Sequence, residues 1–243
     1  MVDAATPRRP RVAVVIPVLD EEASLPLVLG EIPADLVDEV VVVDNGSKDR
    51  SAELARAAGA RVVAEPRRGY GSACLRGIAA TDGAEILVFL DGDHSDYPED
   101  LRRLIQPVIE QRADLVIGSR MLDPTSRRAL LPQARFGNRL AALLLRVLFG
   151  IRCSDLGPFR VIRRDRLVEL AMRDPDYGWT VEMQVRARLR GLRVVEIPVR
   201  YRARVGSSKI TGTLRGTVGA SYKILRTIFA YRLRRPRFGD DAS

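Results

Sequence analysis

Asp91-Gly92-Asp93 is the stretch of this sequence best placed to do chemistry. It directly follows the apolar run Ile86–Leu90 (ILVFL). In extended backbone residues i and i+2 point the same way, so the two carboxylates converge on one point beyond the run. Paired hard oxygens suit a divalent cation that keeps open positions for further oxygen ligands, and the glycine between them lets a ligand approach the backbone. Asp44 ends a second apolar run, Val40–Val43, in the same manner. Its carboxylate can accept from a nucleobase N–H or from ribose hydroxyls, or it can cap the helix that follows. Glu21, just past the run Val12–Val18, either reaches the same ligand or complements a helix dipole. Gly69-Tyr70-Gly71 begins like a dinucleotide fingerprint, but Cys74 stands where the third glycine belongs, which argues against that cofactor.

The elements that must position these residues alternate. The apolar run at 12–18 reads as a strand buried on both faces, those at 40–43, 86–90 and 115–118 as further strands and 61–64 as a short one. Helical stretches around 23–30, 52–58, 72–80 and 98–110 separate them, with Gly59 as a helix stop. This alternation predicts an α/β protein with a parallel, right-handed, doubly wound sheet, whose ligands bind beyond the carboxyl ends of the strands. Past Arg120 the pattern loosens. Residues 121–133, with Pro124 and Pro132, read as a long loop. Helices are expected at 135–148 and 165–172 with a short element at 159–163 between them, then an amphipathic segment at 180–189, a last strand at 193–199 and a basic helix at 213–233. No linker separates two folding units.

The chain has 243 residues, 46% hydrophobic and 29% charged, a globular composition. Its 2 cysteines exclude a disulfide scaffold, and no apolar run is long enough to span a membrane. No signal peptide is read at the N-terminus, so the expected location is cytoplasmic. Charge is unevenly distributed. Residues 1–120 hold 14 Lys+Arg against 21 Asp+Glu, whereas 121–243 hold 26 against 10. No acidic residue lies between Glu196 and Asp240, a segment with 11 Arg or Lys. An acidic half joined to a basic half fits a metal or phosphate site that ends at an anionic surface.

The motifs PVLDEE (17–22), VVVDNGSKD (41–49), RGYGSACLRGI (68–78), FLDGDHSDYPEDL (89–101) and DLVIGSR (114–120) resemble glycosyltransferase family 2, whose fold is called GT-A. GNR (137–139), DLGPFRVIRRD (155–165), GWTVEMQVRA (178–187) and RVGSSKITGT (204–213) extend the likeness toward polyprenyl-phosphate and dolichyl-phosphate mannose or glucose synthases. The resemblance implies a Rossmann-like, mostly parallel sheet flanked by helices over 11–211. That domain comprises a nucleotide-sugar half (11–120) and an acceptor half (121–211), with a disordered terminus at 1–10 and a basic tail at 212–243. It further implies that Pro17, Leu19, Glu21, Val42 and Asp44 cradle the nucleoside. Asp91 and Gly92 would meet the ribose-phosphate side, and Asp93, with Asp91, would hold Mg2+ or Mn2+ on the diphosphate of a GDP- or UDP-sugar. Arg120, Arg204 and Lys209 would face the phosphates of donor or acceptor. The chain departs from the family pattern at Asn45, where relatives often carry a second Asp, and at Ser95, where the mannose synthases carry Gln.

Two acceptor chemistries make different demands. An alcohol needs a general base. A phosphate monoester, with a second pKa near ~6, is already largely an anion and needs cations. Arg202, Arg204, Ser207, Ser208 and Lys209 supply cations and hydroxyls in one glycine-containing loop. Asp155 is the leading base candidate and Glu182 the second; each also reads as an internal ion-pair or helix-face residue. His94 reads as a loop histidine, and Trp179 either as a wall of the acceptor cleft or as core. The expected activity is inverting sugar transfer to a polyprenyl phosphate, with Asp93, Arg120 and Asp155 carrying the chemistry. The basic tail would rest on the anionic cytoplasmic face of a membrane or on a partner subunit or second copy. A soluble hydroxyl or phosphorylated acceptor is the alternative. A nucleic-acid module is disfavoured, because it leaves the acid motifs unexplained and aromatic residues are only 5% of the chain.

Overall fold

The computed structural model describes residues 8–206 and 214–234. Its strands are β1 Val12–Val18, β2 Glu39–Asp44, β3 Arg61–Ala64, β4 Ile86–Phe89, β5 Leu115–Ser119, β6 Arg160–Arg163 and β7 Val194–Pro198. They form one sheet in the order β3-β2-β1-β4-β6-β5-β7. On β1, Val12, Val14, Ile16 and Val18 enter one core cluster while Val15 enters the other, as a strand buried on both faces requires. The helices are α1 Leu25–Glu31, α2 Ser51–Ala57, α3 Tyr70–Ala80, α4 Leu101–Ile109, α5 Pro124–Ala129, α6 Pro132–Phe149, α7 Arg164–Leu170, α8 Trp179–Leu189 and α9 Leu214–Arg234.

The chain leaves β1 toward β2 on one side, and β4 joins β1 on the other. The sheet therefore changes direction between β1 and β4, and a crevice opens beyond their carboxyl ends. Pro17–Glu21 and Asp91–Asp93 lie at that crevice.

Several elements differ from the reading of the sequence. Strand β6 runs antiparallel between β4 and β5, with Arg160 opposite both Phe89 and Ile117. The reversal brings the segment before β6, with Asp155, to the same rim as the ends of β4 and β5. Residues 121–133 are not a loop throughout. Asp123 caps α5 by accepting from Ser126 N at 2.6 Å, and Pro124 and Pro132 each open a helix, where a missing N–H costs nothing. Helix α8 is not amphipathic in the structure: Trp179, Val181–Val185 and Ala187 are all buried. Helix α9 packs on α6 and α8, burying Ile228 in a third cluster with Ala141, Leu145, Val181 and Val185. At the expected disordered terminus, Arg8 and Arg9 pair with Glu85 and Asp38, while residues 1–7 lie outside the described residues. Ser207, Ser208 and Lys209 lie outside them too.

Candidate active site

The loop after β1 is held by reciprocal bonds to the loop after β2. Asp20 adopts a left-handed backbone (φ 52°); its N–H donates to Ser47 Oγ at 2.9 Å while its carboxylate accepts from Lys48 N at 2.6 Å. Glu21 N donates to Ser51 Oγ at 2.7 Å. Asp44 accepts from Ser47 N at 2.8 Å through one oxygen, and Val42 is fully buried core. Neither lines the cleft, whereas Pro17, Leu19, Glu21, Asp91, Gly92 and Asp93 all do. Asn45 explains its own departure from the family pattern. Its amide donates to the carbonyls of Glu65 and Arg67, both at 2.8 Å, and its oxygen accepts from Gly69 N at 2.9 Å. An aspartate cannot donate those two bonds.

Across the crevice, Asp93 Oδ1 accepts from Ser95 N at 2.9 Å and His94 takes a left-handed turn (φ 61°). The segment after β7 closes over this loop: Arg202 N donates to Ser95 O and Val205 N to Asp93 O. Arg204 thereby bridges both walls, with Nη2 2.7 Å from Glu21 Oε1 and Nη1 3.3 Å from Asp93 Oδ2. Gly92 sits in close quarters, since a Cβ there would lie 3.1 Å from Val18 Cγ2, tighter than an ordinary contact. Burial, and then the charge of Asp93, push the Asp91 carboxyl up to about 7. The buried Tyr70 hydroxyl beside it is pushed well up by burial and by Asp91.

These groups border a cleft of about 310 Å³. Its far wall is Asp176, Tyr177 and Lys223, the last arriving from α9 and paired with Asp176. Gly69 and Gly71, the abandoned fingerprint, let the start of α3 meet that wall. A Cβ on either would lie 2.1 Å from Pro175 O or 2.0 Å from Asp174 O, and Ser72 N donates to Pro175 O at 2.9 Å. Arg68, also at the cleft, is tied to Gly46 O.

The acceptor-side candidates fall into a different environment. Asp155 is fully buried and does not face the cleft. Its carboxylate accepts from Arg120 N, Nε and Nη2 and from Asn138 Nδ2, all at 2.8–2.9 Å. Burial opposes its charge, but Arg120 holds its pKa below the usual carboxylate range. Arg120 stacks over Tyr201, 5.2 Å from the ring centre. Glu196 on β7 fixes the neighbouring backbone by accepting from Ser154 N and Oγ at 2.9 Å. Arg202 lies behind the Asp93–Ser95 loop, bonded to Glu31 and His94 O and stacked on Tyr97. Glu182 is saturated by Arg173 N, Asp174 N, Arg186 and Tyr231. His94 is bonded to Glu31 at 2.9 Å. Trp179 is core, edge-on to Phe89 at 4.7 Å. Asp96 is buried with neither oxygen hydrogen-bonded among the described residues, and burial, then Asp91, push its carboxyl well up.

The acid pair fits a divalent cation. Two carboxylate edges meet in a half-buried cleft, and the cost of charging Asp91 beside Asp93 is one that a bound dication removes. Among the described residues no cluster of three or more metal-binding side chains forms, so ligand oxygens would complete the shell.

A crevice of this kind, at the direction change of a mostly parallel sheet with acids on both walls and an arginine bridging them, belongs to an α/β fold of GT-A type. The chain belongs to glycosyl transferase family 2, whose model matches residues 13–170. It is 41% identical over 208 residues to an uncharacterised glycosyltransferase of Mycobacterium tuberculosis, covering 85% of this chain and 93% of the relative. It is 35% identical over 231 residues to the undecaprenyl-phosphate mannosyltransferase of Micrococcus luteus, covering 85% and 90%. Glucosyl-3-phosphoglycerate synthase of Mycobacterium tuberculosis, solved with Mn2+, uridine diphosphate and glucosyl-3-phosphoglycerate, superposes with a TM-score of 0.72 at 28% identity, covering 95% of this chain and 82% of that one. Among the described residues no helix is long and apolar enough to cross a membrane.

Residues to which the sequence assigned no role are Asn138, Tyr70 and Lys223. Asn138 sat inside the GNR motif, and Lys223 is one of only 3 lysines in an arginine-rich chain. Both were visible signals.

Proposed function

We propose that the protein transfers a hexose from a GDP- or UDP-sugar to a polyprenyl phosphate at a membrane surface. The nucleoside side of the donor rests on Pro17, Leu19 and Glu21, and its diphosphate lies toward Asp93, Arg204 and the basic side chains Arg68 and Lys223. Asp93, with Asp91 beside it, holds the divalent ion, which when bound stabilises the charge that builds on the departing diphosphate. Arg204, already fixed by Glu21, offers a preorganised cation to the same charge. Arg120, oriented by Asp155 and Asn138, serves the acceptor phosphate.

The observation that carries the acceptor reading is the engagement of the two carboxylate base candidates read from the sequence. Asp155 is saturated by Arg120 and Asn138, and Glu182 by four donors. An acceptor that arrives as an anion needs neither of them. The name of the Micrococcus luteus relative points the same way. A soluble phosphorylated acceptor is the second reading, favoured by the structural likeness to glucosyl-3-phosphoglycerate synthase. Radiolabelled GDP-mannose and UDP-glucose, each with Mn2+ and either dolichyl phosphate or 3-phosphoglycerate, separate the two. Label extracted into organic solvent is expected. Label kept in a water-soluble phosphorylated product supports the second reading, and no nucleotide release with any pair overturns sugar transfer.

A further inference from the structure

Helix α6 has two opposed faces. It buries Asn138, Ala141 and Leu145 toward α8 and α9, yet exposes Phe136 (69%), Leu140 (36%), Leu143 (57%) and Val147 (71%). At ~100° per residue the exposed four fall within an arc of about 60°, opposite the buried three. Arg135, Arg139 and Arg146 fall together on one flank of that arc. From position 124 to 154 the sequence holds six arginines and no acid. Helix α9, packed beside α6, repeats the pattern, exposing Tyr222, Phe229 and Leu233 in line with Arg226.

A row of large apolar side chains left in water marks a surface that something covers. The charge around it selects the occupant. A second copy of this face would set its arginines against their like, whereas a sheet of lipid phosphates meets both the arginines and the apolar row. We infer that the outward face of α6, with α9 beside it, lies on an anionic bilayer surface. Phe136, Leu140, Leu143 and Val147 enter the interfacial layer, and Arg135, Arg139 and Arg146 meet lipid phosphates. The role of this docking, though not the docking itself, rests on the sugar-transfer reading. On its inner face α6 carries Asn138, which bonds the Asp155 that orients Arg120, so docking sets the acceptor-side cation about one helix diameter, ~10 Å, from the lipid surface.

Sedimentation of the full chain with phosphatidylcholine vesicles containing phosphatidylglycerol, at low salt and without donor or metal, tests the inference. The wild type is expected to sediment with these vesicles, to stay in solution with phosphatidylcholine alone, and to be released by salt. The double variant Phe136→Ser/Val147→Ser is expected to lose about tenfold in partition. Arg135→Gln/Arg139→Gln/Arg146→Gln is expected to lose roughly fivefold per arginine. Four of the five side chains leave exposed positions and Arg135 a half-buried one, so thermal midpoints close to the wild type verify folding. No wild-type binding, or variants that bind like the wild type, overturns the inference. So does a dimer in sedimentation velocity that Phe136→Ser/Val147→Ser dissociates, which would make a second copy the occupant. Vesicle binding without any nucleotide release in the transfer assay counts against sugar transfer and upholds the docking.

Discussion

Two acid–arginine clusters stand at the rim of the same sheet, and they are built to opposite ends. Around Asp155 the account is closed. One carboxylate receives four donors, and its pKa falls despite burial. Around Asp91 and Asp93 it is open. Arg204 stands 3.3 Å from one oxygen, and burial with acid-acid repulsion leaves Asp91 near 7. The first cluster is finished by folding and holds a side chain in place. The second is left short of positive charge, the condition a ligand-borne dication satisfies. Acids in one rim thus divide into positioning and binding roles by how completely the protein itself compensates them.

The largest effect should come from the closed cluster. Asp155→Ala strands a largely buried guanidinium, and loss of one partner of a buried pair costs about 3–5 kcal/mol. Denaturant unfolding should show that loss, and Asp155→Asn, which keeps the shape and loses the charge, should fall in between. Asp93→Ala should behave in the reverse manner. Its unfolding midpoint should stay close to wild type, while transfer falls by roughly two to three decades, about 3 kcal/mol of transition-state stabilisation. If Asp93→Ala unfolds the protein and Asp155→Ala spares it, the contrast fails.

A third compensated acid calibrates the comparison by pH. Arg193 holds Asp114 down to about 2, chiefly through hydrogen bonds from its side chain and backbone. A depressed acid stabilises the fold above its unfolded value near 3.8 and loses that contribution as pH falls toward 2. About 2 kcal/mol should disappear over that window in wild type and be absent in Asp114→Asn. Asp91 has the opposite sign. With its pKa raised, the metal-free protein should lose stability as pH climbs from about 4 to 7. Metal must displace the proton, so Mn2+ affinity should rise by about tenfold per unit up to pH 7 and then level. Calorimetry in two buffers of different ionisation heat would detect the released proton; a pH-independent affinity would place the ion away from Asp91.

The sequence made the first of these clusters hard to read and the second easy. Asp91-Gly92-Asp93 follows an apolar run, and period-two geometry alone aims its carboxylates together. Glu21 and Arg204 are 183 positions apart, and only the family motifs set them in one site. Asp155 was legible as important but not as closed, because its partners Arg120 and Asn138 reach it through the antiparallel β6 that strand-helix alternation does not announce. Pro124 and Pro132 read as breakers because proline in isolation does not say whether it ends a helix or opens one. The basic tail read as a helix resting on a membrane or a partner subunit, since a pattern of apolar residues does not say which of them pack within the chain; Ile228 and Tyr231 do, while Phe229 and Leu233 do not bury.

The central claim is that the open acid pair receives a divalent ion together with a nucleoside diphosphate. Anomalous diffraction from crystals soaked with Mn2+ and UDP or GDP tests it most directly. The account predicts one manganese peak at coordinating distance, ~2.2 Å, from an Asp93 oxygen and from the diphosphate, with the nucleoside on Pro17 and Leu19. A diphosphate bound in the cleft with no manganese at Asp93, or bound elsewhere on the protein, would contradict it.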